Sequence, residues 1–267
     1  MTIRNPIVSG RFYSDNPEEL QRTLKRFLHP QPHYQALAAI VPHAGYIYSG
    51  GVAGAVYSSM LLPDCFVILC PNHTGRGAPF ALWPKGQWKT PLGLVEVNEQ
   101  LALQIQDRCS FLEVSLQAHE LEHSVEVQLP FLQSLLPAFS IVPICIRDVS
   151  PPKLLELGNA LAEAIRSYGH RVLVIASSDM NHYEQESITR LKDQKAMDRI
   201  LALDPFGLYQ TVLNESISMC GIGPAVAAMQ AAKQLGASEG VLVKYSTSGE
   251  ISGDFYRVVG YAGMVIV

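Results

Sequence analysis

Charge is sparse in this chain. Of its 267 residues only 16% are Asp, Glu, Lys or Arg, and 20 scattered Lys and Arg stand against 24 Asp and Glu, for a net charge of −4. That excludes nucleic acid as an expected partner, because holding a phosphate backbone takes a clustered basic field. Long apolar runs are missing too. None approaches the ~18 residues that cross a bilayer, and Met1-Thr2-Ile3-Arg4-Asn5-Pro6 has no secretory apolar region, so no membrane is expected and the cytoplasm is the predicted location. The five cysteines, Cys65, Cys70, Cys109, Cys145 and Cys220, are odd in number and contain no C-x-x-C pair, which argues for free thiols rather than a disulfide framework. Nucleotide and serine-hydrolase fingerprints are absent as well: Gly50, Gly51 and Gly54 do not make G-x-G-x-x-G, Gly221-Ile222-Gly223 opens no such motif, and no G-x-S-x-G elbow occurs.

What is abundant is apolar sequence. At 48% hydrophobic residues, the chain can bury a large core, and with neither linker nor internal repeat it is expected to form one domain over residues 1–267. Ala36 to Val41, Cys65 to Cys70, Ile141 to Ile146 and Arg171 to Ala176 are short apolar runs with the signature of buried strands, and further strands are expected at Leu94–Val97, Gly240–Ser246 and Tyr256–Val267. Helical spacing marks Glu18–Leu28 behind an Asn16 cap, the Ala-rich stretch from Gly50 to Met60, Asn98–Arg108, Glu120–Leu136, Pro151–Tyr168, Ile188–Leu203 and Pro224–Leu235. Alternating strands and helices predict an α/β fold: a mixed, mostly parallel sheet covered by helices on both faces, with antiparallel pairing near the C-terminus.

In such sheets ligands bind beyond the carboxyl ends of the strands. Pro42-His43-Ala44-Gly45 and Pro71-Asn72-His73-Thr74-Gly75 each stop a predicted strand, and Cys220 precedes Gly221-Ile222-Gly223-Pro224 at the start of a helix. His43, His73 and Cys220 are therefore candidate metal ligands, two imidazoles and a thiol that a helix N-terminus would help to ionise. Ser177-Ser178-Asp179-Met180-Asn181-His182 also lies beyond a strand, making Asp179 and His182 candidates for proton transfer, with the carboxylate orienting the imidazole. His119-Glu120-Leu121-Glu122-His123 matches the H-E-x-x-H pattern of zinc metalloproteases, but its approach through Ser115-Leu116-Gln117-Ala118 is loop-like and no third-ligand motif lies downstream. The competing assignment puts Glu122, His123 and Glu126 at a helix start, where polar groups suit the macrodipole and can face the crevice.

Taken together, Val8-Ser9-Gly10-Arg11-Phe12-Tyr13, Pro42-His43-Ala44-Gly45-Tyr46, Glu122-His123-Ser124-Val125-Glu126-Val127-Gln128-Leu129-Pro130-Phe131-Leu132, Ser177-Ser178-Asp179 and Cys220-Gly221 resemble the Memo family, known in bacteria and archaea as AmmeMemoRadiSam system protein B. The resemblance runs from near residue 6 to the C-terminus. It implies a fold similar to the class III extradiol ring-cleaving dioxygenases, which hold non-haem iron with two histidines and a glutamate. Transferred to this chain, the histidine ligands fall at His43 and His73, the catalytic histidine at His182, and the carboxylate position at Cys220, a departure that suits copper or zinc as well as iron. Tyr46, Glu122, His123 and Ser124 are expected to line the crevice. The implied functions are an iron- or copper-dependent oxidoreductase of unknown substrate, with zinc as a further candidate metal, or an adaptor that binds metal, peptide or a small molecule in a vestigial site. A functional association with a radical-SAM protein is implied on the same ground.

Overall fold

The buried apolar runs become the parallel centre of one large sheet. The computed structural model describes residues 2–267. Its strands are β1 (Ile3–Arg4), β2 (Ala38–Val41), β3 (Cys65–Pro71), β4 (Phe80–Leu82), β5 (Gln87–Thr90), β6 (Gly93–Val97), β7 (Glu113–Val114), β8 (Ser140–Ile146), β9 (Leu173–Ser177), β10 (His182–Glu184), β11 (Gly240–Thr247) and β12 (Val258–Ile266). The main order is β1-β5-β6-β8-β3-β9-β2-β12-β10, with β11 against β12, and β4 bridging β8 and β7. From β6 through β8, β3 and β9 to β2 every pairing is parallel, while β2–β12, β12–β10, β12–β11, β5–β6 and β4–β8 are antiparallel. The mixed, mostly parallel α/β sheet expected from the sequence is what forms.

Both faces are covered because both are apolar. Successive strand side chains point to opposite faces, so Val67 and Leu69 of β3 join Ile40, Val142, Ile144 and Val174 in one core, while Phe66 and Ile68 join Ala39, Val41, Ile141 and Ile175 in the other. Helices Pro151–Tyr168 and Ile222–Leu235 close the first face, and helices Pro17–Phe27 and Tyr46–Ser59 the second. Local signals hold where they were strong. Asn16 accepts from the amides of Glu18 and Glu19 at 3.0 and 3.1 Å, Pro17 occupies the first turn, and Leu20 and Leu24 are buried.

Three local expectations are corrected. The predicted helix Glu120–Leu136 is instead a short helix Gln117–Glu120, a 3-10 turn Glu126–Gln128 and a helix Leu129–Leu135. Pro130, lacking an amide proton, is tolerated because it falls in the first turn of the last piece. Glu126 does open a helical turn, the 3-10 turn, but its side chain neither serves the macrodipole nor faces the crevice: fully buried, it pairs with Arg4 and accepts from the Ile7 and Val8 amides and the Tyr13 hydroxyl. Helix Pro205–Asn214, capped by Asp204 onto the Gly207 amide at 2.9 Å, and strand β10 have no counterpart among the elements expected from the sequence.

Candidate metal centre

The carboxyl ends of β2, β3 and β9 lie side by side, so the residues just past them meet. His43, one residue beyond Pro42, and Asp179, two residues beyond β9, are joined directly: the His43 amide donates to Asp179 Oδ1 at 2.8 Å. Cys220 Sγ lies 3.2 Å from His43 Nε2 and accepts from the Asp179 amide at 3.3 Å. The ring centroids of His43 and His73 are 5.2 Å apart. A cavity of about 500 Å³ opens over this cluster, lined by all four of these residues together with Phe12, His123, His182, Tyr183, Ser218 and Tyr261.

His123 is the residue that geometry promotes. Its ring centroid is 5.5 Å from that of His43 and 5.0 Å from that of His73, and the three imidazoles offer donor atoms all within 4.8 Å of one another. Cys220, expected from the sequence to share the site with His43 and His73, touches His43 alone among the three histidines and lies outside this mutually close set. From sequence alone, His123 is only a crevice-lining residue or half of a zinc-protease motif.

The hydrogen bonds fix the tautomers. The Ser177 hydroxyl donates to the Ser124 carbonyl at 2.8 Å and receives Gln128 Nε2 at 2.9 Å, so its 3.0 Å contact with His43 Nδ1 requires the imidazole to be the donor. His43 Nε2 is left as a lone pair beside Cys220. Glu122 does the same for His73, accepting from its amide at 2.7 Å and from Nδ1 at 3.0 Å, and its Oε1 also lies 3.4 Å from His123 Nδ1. A hydroxyl behind Nδ1 of His43 and a carboxylate behind Nδ1 of His73, with Nε2 left to face the crevice, is the arrangement that orients histidine ligands around a metal.

Charge is set by burial and neighbours. Burial, reinforced by His73, pushes the His43 pKa down to about 3, and burial with His43 nearby brings His123 to about 4, so both are neutral donors near pH 7. For His73 burial acts in the same sense, but the hydrogen bond and charge of Glu122 outweigh it and raise the pKa. Glu122 itself is held at about 2, because His73, His123 and Ser124 overcome its desolvation. Burial, helped by the Asp179 carboxylate, raises the Cys220 thiol, which corrects the expectation that a helix start would favour thiolate in the absence of a cation. Asp179 is likewise raised by burial.

Other expected roles also change. Asp179 contacts the His43 amide and Cys220, and it is Ser218 that orients His182: its carbonyl accepts from His182 Nδ1 at 2.9 Å, and its hydroxyl accepts from the His182 amide at 2.7 Å. Tyr46 does not line the crevice; it is buried, its hydroxyl on the Val127 carbonyl at 2.7 Å and its ring against Tyr13 and Phe131. Glu122 and Ser124 are fully buried behind His73 and back the wall rather than form it. The zinc-protease pairing fails outright. His119 is 0% exposed, wedged near Trp83 and Trp88 with Nε2 3.0 Å from the Ala81 carbonyl, while His123 lies past the helix end in the crevice.

Sequence reasoning missed the residues that hold the ligands in place. Gln128 ties the Pro42 carbonyl to Ser177 and takes the Tyr57 hydroxyl, and Arg4 donates to the carbonyls of His119 and Glu122 as well as to Glu126. Only Gln128 left a trace, as a polar residue inside an otherwise apolar Val127–Leu132 stretch.

The Memo-like protein family matches residues 4–265. A MEMO1 family protein of Pyrobaculum aerophilum is 43% identical over 278 residues, covering 99% of each chain, and one of Methanopyrus kandleri is 40% identical over 277 residues, covering 98% of each. Among solved structures, an uncharacterized protein of Escherichia coli K12 superposes with a TM-score of 0.59 at 10% identity, over 85% of this chain and 98% of that one, a likeness of fold. With a family match across nearly its whole length and whole-chain relatives at this identity, the chain belongs to the Memo-like family.

Proposed function

We propose that this crevice holds a first-row transition metal, iron or copper before zinc, on His43, His73 and His123 with Cys220 beside His43, and that the protein is a metal-dependent oxidoreductase acting on a small molecule. The observation that carries the reading is the convergence of three imidazoles within 4.8 Å, two of them with Nδ1 held by a hydroxyl or a carboxylate. The donor set fits: imidazole suits iron, copper and zinc alike, and a neighbouring thiol, which loses its proton on coordination, favours copper and zinc. Such a metal, when bound, supplies Lewis acidity and, if iron or copper, a route for electrons to dioxygen.

The chain's own groups supply the rest. His182 lines the same cavity, and with Nδ1–H committed to the Ser218 carbonyl its Nε2 is a lone pair able to take a proton from a bound substrate. Phe12 and Tyr261 give the crevice apolar walls that exclude water from part of the 500 Å³. The Asp179 carboxylate accepts from the His43 amide and so ties the loop after β2 to the end of β9.

The test is metal loading under anaerobic conditions with iron(II), copper(I) or zinc(II), then metal analysis of wild type and of His43→Ala, His73→Ala and His123→Ala. One equivalent in wild type and loss in each variant is expected; undiminished metal in all three refutes the site. Oxygen uptake by the loaded protein, above that of free metal, then separates turnover from the adaptor reading, for which metal binds and no oxygen is consumed.

A further inference from the structure

A second cavity, of about 490 Å³, opens on another part of the molecule and shares no lining residue with the crevice. Its walls are the end of helix Pro17–Phe27, the segment just after it, helix Tyr46–Ser59 from Gly51 onward, and β11. The charged and titratable side chains around it are Arg26, Lys244, His29 and His33, and no Asp or Glu lines it. In a chain of net charge −4, that is a local reversal of sign. Among the described residues, neither Arg26 nor Lys244 has an ion-pair partner, although Lys153, Arg190, Lys192 and Lys195 all pair with carboxylates.

The floor is apolar and kept open. Phe27, Ala55 and Val243 face the space, and Gly51 leaves a gap where a side chain would fit: a Cβ there would meet nothing nearer than Lys244 Nζ at 3.6 Å and Phe27 Cδ1 at 3.9 Å. Gly50 and Gly54 differ, since a Cβ on either would fall within 2.5 Å of Phe27 and packing alone demands glycine there. The wall is rigid. The amides of Gln31, His33 and Tyr34 donate to the carbonyls of Ser58 and Ser59 at 2.9 to 3.0 Å, and the His29 amide donates to Ser58 Oγ at 2.9 Å. A preformed hollow with an apolar floor and uncompensated cations at its edge recognises an anionic head joined to an apolar body.

We propose that this cavity is a binding site for a small amphipathic organic anion, its acid group held between Arg26 and Lys244 and its apolar part lying over Gly51 and Phe27. The probe is 8-anilinonaphthalene-1-sulfonate, titrated by fluorescence into the full-length protein. Saturable one-to-one binding is expected, displaced by octanoate but not by octylamine of the same chain length. Lys244→Glu and Arg26→Glu should each weaken it about tenfold or more, and added salt should weaken it further. Gly51→Leu, which fills the floor and suits a helix, should abolish binding while leaving the far-ultraviolet spectrum unchanged. Binding unaffected by both charge reversals, or equal displacement by octylamine, overturns the proposal. His43→Ala should leave the probe's affinity as in wild type; a parallel loss would place the probe in the crevice and overturn the assignment.

Discussion

Glu122 gives the sharpest test of how the centre is built, because it touches two of the three histidines without lining the cavity. Its carboxylate accepts from the His73 amide at 2.7 Å, His73 Nδ1 at 3.0 Å, the Ser124 amide at 3.0 Å and Ser124 Oγ at 2.5 Å. Glu122→Gln keeps the shape, yet turns one accepting oxygen into a donor facing donors and removes the charge behind His73. Losing such an outer-sphere partner typically costs 10- to 100-fold in metal affinity, about 1.4 to 2.7 kcal/mol. The effect has a pH signature. In wild type the carboxylate raises the His73 pKa, so protons compete for that imidazole earlier as pH falls; without it burial dominates and the competition moves to lower pH. The affinity gap is therefore widest near pH 7.5 and narrows on acidification. Zinc(II) titration against a chromophoric chelator at pH 7.5 and 6.0 measures both. A variant within threefold of wild type at pH 7.5, or a gap that grows with acid, would refute the positioning role.

Cys220→Glu should raise iron(II) affinity relative to copper(I), and Cys220→Ser should lower both; equal metal preference in all three proteins, measured by competition, removes Cys220 from the site. His119→Ala should leave bound metal unchanged while costing about 2 kcal/mol or more in urea unfolding, since it empties a buried space between Trp83 and Trp88 and removes a side-chain hydrogen bond to the Ala81 carbonyl. Asp193 is raised by burial to about 6 while accepting from the Asn181 amide at 2.8 Å and the Tyr245 hydroxyl at 2.7 Å. A raised carboxylate gives stability that is present below the unfolded pKa and lost as pH climbs through the folded one, so wild type should lose up to about 3 kcal/mol between pH 4 and 7 relative to Asp193→Asn. Chemical denaturation of both proteins across that range would contradict the assignment if the two curves ran parallel.

How much of this is legible in advance depends on what sets each partner. The buried strands declare themselves as apolar runs bounded by Pro and Gly, and a parallel sheet gathers the residues just past its strands at one end, so His43, His73 and Asp179 are findable without knowing a single contact. Cys220 needs only the helix start beside it. His123 is harder. It sits on no strand end, and the helical periodicity around it points to a regular element that the chain does not form. The discrepancy has a physical cause: the apolar residues Val125, Val127, Leu129, Phe131 and Leu132 are buried by tertiary packing, while the backbone at 121–125 is bent to deliver Glu122 and His123 to opposite tasks.

The groups that hold that bend in place lie far away in sequence. Arg4, 2% exposed, sends its guanidinium to the carbonyls of His119 and Glu122 and to the Glu126 carboxylate 122 residues on, and Glu126 in turn takes the amides of Ile7 and Val8. A buried charge is tolerable only when paired and fully hydrogen-bonded, so this pair exists because three segments close around it together. No local pattern encodes such an arrangement: an arginine near a chain start and a glutamate in an apolar stretch read separately as a surface charge and a helix residue. Ligands placed by strand ends are thus visible in a sequence through periodicity, whereas the residues that aim them, Arg4, Glu126, Gln128 and Ser177, acquire their meaning only when distant backbone brings an unpaired carbonyl or amide within reach.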